Sequence, residues 1–355
     1  MVKVGKQPSA TLANIFMFFL LSYNILLFAI LGYFYRNVWH DTTFGSWMSS
    51  PWFLIVSQIT GLLVPMFIFR SIFGSIEKFR KGNQNNTSIE IDSVDVIYSE
   101  PTKRERRYLG FVNILLIVVL SLMVQPTMMI ISGLASLIIP NPVVGVMTQL
   151  ATIPFPMALL IIAIIPSICE EWVFRGYIQS HYEGYNILVT ALINGLFFGI
   201  IHLNFHQFTY AFIMGMFFVY LVHITRSLFA AVLSHFVINA SQLSLSYLVF
   251  QMDVDIVAAD PTTADLISGI YELIMINIFI FPLALLIFLA LIKHNQLRKL
   301  EKNSNYENSN GEILETSKTL SEIPRLMHML NQKNLPNPFD RFFWAVVLLF
   351  LILVL

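Results

Sequence analysis

The sequence predicts an all-α protein, a polytopic bundle of membrane-spanning helices, from three observations. Apolar runs long enough to cross roughly 30 Å of hydrocarbon as helices recur along the 355 residues. Charged residues make up only 12% of the chain and hydrophobic ones 56%, against a charged share of about 25% in soluble domains. Phe, Trp and Tyr reach 14%, and aromatic residues gather at membrane interfaces. The formal net charge of zero supplies no basic excess for nucleic acid. The single cysteine, Cys169, excludes an intrachain disulfide and a cysteine-rich metal site.

Hydropathy then sets the elements in order. The first run follows Lys3 and Lys6, is too long for a signal-peptide core and has no small-residue cleavage site after it, so it reads as a retained span near 14–35. Further spans are predicted near 51–70, 109–132, 155–179, 187–203, 209–224, 229–250 and 267–293, eight in all, with a shorter ninth run at 342–355. Basic residues set the orientation. Lys3, Lys6 and the loop carrying Lys78, Arg80, Lys81, Lys103, Arg104, Arg106 and Arg107 are expected on the cytoplasmic side, as is the N-terminus. Alternation adds Arg226, Lys293, Arg298, Lys299 and Lys302 to that side. It puts Asp253, Asp255, Asp260 and Asp265 on the other.

Four units follow: 1–108 with two spans and a basic loop, a core at 109–293, a polar linker at 294–340 and a hydrophobic segment at 341–355. The linker is rich in Asn, Ser, Glu and Lys and has few residues for a core, so it is expected to be mobile. In the 71–108 loop, Ile89, Ile91, Val94 and Val96 alternate with polar residues, the pattern of a small hairpin.

The chemistry-bearing residues sit inside the spans. CEEWVFRG places Glu170, Glu171 and Arg175 in one greasy stretch, where each charge costs about 2.5–3.5 kcal/mol unless it finds a partner or a wet cavity. Glu171 and Arg175 are four apart, acid before base, and so can pair on one helical face. Glu170 is rotated about 100° away and stays available for chemistry. FFGIIH sets Phe198 and His202 four apart, and HFVIN does the same for His235 and Asn239. A carboxylate and an imidazole can deprotonate a water, while an imidazole and a carboxamide can donate to an oxyanion. Alternatively, Glu170, His202 and His235 could hold Zn with an open fourth position. Both schemes end in amide hydrolysis. One geometric tension accompanies them. With a fourth span ending near Gln179, Glu170 lies about 13 Å and His202 about 22 Å from the cytoplasmic end, a mismatch that a kink at Pro166 could relieve.

At EEWVFRG, FFGIIH and SHFVINA, roughly residues 150–250, the chain resembles the CPBP (Abi, Rce1-type) intramembrane endopeptidases, which include the CAAX prenyl proteases. The resemblance implies a helical core with a cytoplasm-facing cavity, Glu170 and His202 activating water, and His235 and Asn239 stabilising the oxyanion. It implies supporting parts for Glu171 and Arg175, and leaves a zinc and a metal-independent glutamate mechanism equally open. The substrate expected is a membrane-associated peptide or protein. A bacterial plasma membrane is favoured, or the endoplasmic reticulum if the source is eukaryotic. Phe198 and Cys169 read as packing residues, and His206 as part of a turn. His40, His181, His294 and His328 read as loop residues. The HExxH, GxGD and GxSG signatures of other intramembrane proteases are absent. Two non-proteolytic readings remain: a scaffold or immunity-type protein that binds a partner in the same cavity, and a transporter with a Glu–Arg relay.

Overall fold

The computed structural model describes residues 10–39, 42–43, 50–84, 108–141, 153–252, 262–310 and 337–354. Among them no strand forms, as expected of an all-α bundle. The helices are α1 (Ala10–Phe34), α2 (Pro51–Gln84), α3 (Phe111–Met123) and α4 (Gln125–Ser136), then α5 (Phe155–Tyr182). They continue with α6 (Ile187–Ile200), α7 (Phe205–Thr225), α8 (Leu228–Met252), α9 (Thr263–Asn310) and α10 (Arg341–Val354). Seven of the described helices, counting α3 and α4 as one, are long and apolar enough to cross a bilayer. The protein is an integral, multi-pass membrane protein. Lys3, Lys6, Ile89 to Val96, the basic cluster at 103–107 and Asp253, Asp255 and Asp260 lie outside the described residues.

The span expected at 187–203 is corrected. Helix α6 has only 14 residues, about 21 Å, and is too short to cross alone. It stops because residues 201–204 turn, with Leu203 in the left-handed region at φ 50°. Asn204 then caps α7 by accepting from the Gln207 N–H. Helix α9 runs on to Asn310, into the polar segment expected to begin at 294. Asn295 is buried and exchanges two amide hydrogen bonds with Asn113, at 2.9 and 3.1 Å, which ties α9 to α3. His181 and His294, expected in loops, are helical.

Pro65, Pro166 and Pro282 sit within membrane helices, where a proline deprives the carbonyl four residues earlier of its backbone donor, and at the first two a side chain from another helix replaces it. Pro65 frees the Gly61 carbonyl, which accepts from Asn24 Nδ2 on α1 at 2.9 Å. Pro166 frees that of Ile162, which accepts from Asn239 Nδ2 on α8 at 2.9 Å. A π turn at Leu160–Ile164 precedes Pro166, and there the Ile161 carbonyl accepts from Gln58 Nε2 on α2 at 3.2 Å. In an apolar surrounding a freed carbonyl needs such a partner.

Helices α6 and α7 form a close hairpin around small residues. A Cβ on Gly215 would lie 2.8 Å from the Gly195 Cα, and one on Gly195 only 2.6 Å from the Phe212 carbonyl oxygen. Helix α10 braces this hairpin through Phe343 against Phe197 and Phe350 against Phe208. Asp340 caps its first turn, accepting from the N–H groups of Phe342 and Phe343. Asn14 joins Asp340 to α1, and the Tyr182 hydroxyl donates to Asn14.

Gly195→Ala should destabilise the fold by about 1–3 kcal/mol through overpacking. Gly269→Ala is the control, because a Cβ there meets nothing within 4 Å. It should be neutral or stabilising by about 0.5–1 kcal/mol. Thermal unfolding in detergent checks both.

Candidate active site

The site is built from the buried pair outwards. Glu171 and Arg175, four apart on α5, are 0% and 1% exposed. Arg175 Nη1 donates to Glu171 Oε1 at 3.2 Å, and Nε faces Oε2 at 3.1 Å as a close charge contact. Arg175 Nη2 donates to the Gly215 carbonyl at 2.8 Å, reaching α7 at the point where glycine lets α6 and α7 touch. The guanidinium also lies over the rings of Phe198, Phe218 and Phe174, 4.4, 5.1 and 5.8 Å from their centroids. The expected pair is therefore present. Its carboxylate does more than hold Arg175, because His235 Nδ1 on α8 lies 3.0 Å from the same Glu171 Oε1.

A cavity of about 490 Å³ opens beside this pair, lined by Glu170, His202, His235, Asn239 and Phe198 among others. The structure thus brings the four residues expected to carry chemistry to one space and keeps Glu171 and Arg175 out of its lining. The depth mismatch between Glu170 and His202 disappears for two reasons. Helix α5 runs three residues past Gln179, to Tyr182, which sets Glu170 deeper. His202 belongs to the turn after α6, and its ring folds back so that Nδ1 lies 2.8 Å from the Phe198 carbonyl of its own helix.

Hydrogen bonding decides what the imidazoles offer. A carbonyl can only accept, so His202 Nδ1 carries the hydrogen, and in the neutral ring Nε2 keeps a lone pair. His235 Nδ1 likewise donates to the Glu171 carboxylate. His235 stacks on Phe218 at 5.2 Å, and Phe198 meets both imidazoles edge-on at 5.4 and 5.8 Å. Phe198 is a packing residue, as expected, and what it packs is the site itself. Glu170 Oε2 is buried and has no hydrogen-bond partner among the described residues. Asn239 spends one amide hydrogen on the Ile162 carbonyl, leaving its second N–H.

His206 stands apart from the cavity. It is fully buried and bonds through Nε2 to the Ser136 hydroxyl and the Ser132 carbonyl. Among the described residues, no three His, Cys, Asp or Glu side chains form a group that could hold a metal ion. The Glu170, His202 and His235 set therefore does not fit a zinc ion as arranged, and no step below runs through a metal.

Sequence reasoning missed a second set of lining residues: Gln58, Gln207, Tyr210 and Gln242. A helical signal for some was present. Gln242 is seven residues after His235 and three after Asn239, on the same face, and Gln207, Tyr210 and Met214 share a face of α7. Gln58 had no such pattern and could be found only as an isolated amide in an apolar run.

Removing one member of a buried ion pair strands the other. Glu171→Gln should therefore cost about 3–5 kcal/mol of stability. Glu170→Gln, which deletes a charge whose buried oxygen has no hydrogen-bond partner among the described residues, should leave the unfolding midpoint close to that of the wild-type protein. Thermal unfolding of the two variants in the same detergent compares them directly.

No match to a curated protein or to a solved structure was found for the chain. A family match was found: residues 152–241, which include every residue assigned above to the site except Gln58 and Gln242, fit the model described as type II CAAX prenyl endopeptidase Rce1-like. Residues 152–241, about a quarter of the chain, are thus similar to the Rce1-like type II CAAX prenyl endopeptidases, and the three motifs of α5, α6 and α8 all fall within them.

Proposed function

We propose that the protein is an intramembrane endopeptidase that hydrolyses a peptide bond of a membrane-associated peptide or protein, using a water activated by Glu170 and His202. The observation that carries this reading is the unpartnered Glu170 oxygen in a cavity shared with two imidazoles whose Nδ1 atoms are already engaged. A water that donates one hydrogen to Glu170 and the other to His202 Nε2 keeps its lone pairs for the substrate carbonyl. As its oxygen attacks, one proton passes to Glu170 and the carbonyl electrons move onto oxygen. The second N–H of Asn239, and Nε2 of His235 in its doubly protonated form, then donate to that oxyanion. Collapse breaks the C–N bond, and Glu170 returns its proton to the leaving amine. Glu171 and Arg175 act through His235, whose ring they orient.

The proposed location is a bacterial plasma membrane with the N-terminus in the cytoplasm, supported by the short loops and by the basic residues of the first and second polar segments. Among the described residues, the lining of the cavity holds one carboxylate and neither lysine nor arginine, which suits an uncharged stretch of chain.

In proteoliposomes given a panel of peptides, Glu170→Ala, His202→Ala and His235→Ala should each reduce cleavage by at least the roughly 10²–10⁴-fold typical of a general base. The folded protein should be retained, and chelators should leave the wild-type rate unchanged. Full activity of Glu170→Ala would remove the proposed base.

A further inference from the structure

Gln58 lies on α2, outside the matched 152–241, yet lines the cavity with Glu170 and His235. Its orientation is dictated by chemistry. Nε2 donates to the Ile161 carbonyl at 3.2 Å, and since a carbonyl cannot donate, the amide group can only point its nitrogen there. Oε1 is therefore left free of that contact, and it is buried without a hydrogen-bond partner among the described residues. A buried acceptor left unpaired is rare in a folded protein and needs a reason.

Asn239 is arranged in the same way one residue on. The two carboxamides hang from consecutive carbonyls, those of Ile161 and Ile162, and both border the cavity. The cavity thus offers, beside Glu170 and the imidazoles, amide groups whose free atoms match those of a peptide backbone. Glu170 cannot satisfy Gln58, because an ionised carboxylate is itself an acceptor, so the missing donor has to come with whatever fills the space.

We infer that Gln58 is a substrate-binding residue whose carboxamide oxygen accepts a backbone N–H from an extended, uncharged peptide segment beside the cleaved bond. The inference rests on the endopeptidase reading above. It assigns to α2, a helix outside the matched domain, a part in holding the substrate, and it makes recognition depend on main chain rather than on side-chain charge.

The test uses full-length protein in proteoliposomes and an acetylated, amidated decapeptide of uncharged residues, prepared also with a single N-methyl group at each successive position. Losing one hydrogen bond should raise KM about tenfold for one N-methylated position, with kcat little changed. Gln58→Met should raise KM for the parent peptide similarly and abolish sensitivity to that methyl group. Gln58→Glu, which keeps an acceptor but cannot donate to Ile161, should retain the sensitivity and separates acceptance from support of α5. The assignment is overturned if Gln58→Met changes kcat alone, or if its N-methyl profile equals that of the wild type. If wild-type protein cleaves no uncharged peptide while cleaving charged ones, the assignment falls and the endopeptidase reading stands. If it cleaves none of any kind, that reading falls first.

Discussion

Glu171 and Arg175 are a charged pair with no exposed surface on either side chain, 3.1 Å apart inside a membrane helix. Each charge removed from water costs several kcal/mol, so the arrangement persists only if the two charges are compensated by each other and by their surroundings. The partners come from four helices: the Gly215 carbonyl and Phe218 on α7, His235 on α8, Phe198 on α6 and Phe174 on α5 itself. Satisfying the pair therefore fixes how α5, α7 and α8 meet. Gly195 and Gly215 make the approach possible, because any larger residue would hold α6 away from α7. Once these contacts are set, Glu170 is carried by helix geometry onto the cavity side.

A second constraint is the pairing of backbone carbonyls that prolines release in an apolar medium. Asn24 answers Pro65, Asn239 answers Pro166, and Gln58 takes the neighbouring carbonyl in the π turn. Around Pro166 this repair uses carboxamides that also border the cavity. The helix distortion and the polar lining thus have one cause, and a residue such as Asn239 supports the backbone with one N–H while offering the other.

Much of this was legible in the sequence. Hydropathy located the long helices, and i, i+4 spacing within EExxxR, FxxxH and HxxxN located the residues that meet in the cavity. Two kinds of feature were not legible. Helix ends set by turn geometry escaped, as with α6, where an apolar run continues past Ile200 but the backbone turns at Leu203. So did partnerships made only in three dimensions: His235 with Glu171, Asn295 with Asn113, and Gln58 with a carbonyl of another helix. A carboxamide in a greasy segment has no periodic signature, and the partner of Gln58 lies 103 residues away.

A double-mutant cycle between Glu171 and Arg175 tests the central claim most directly. Stability in detergent is measured for the wild type, Glu171→Gln, Arg175→Met and the double variant. If the two charges exist for each other, the double variant loses far less than the sum of the singles, with a coupling of at least about 2 kcal/mol. Additive losses would contradict the account, because they would mean that each side chain is held by its surroundings and not by the pair.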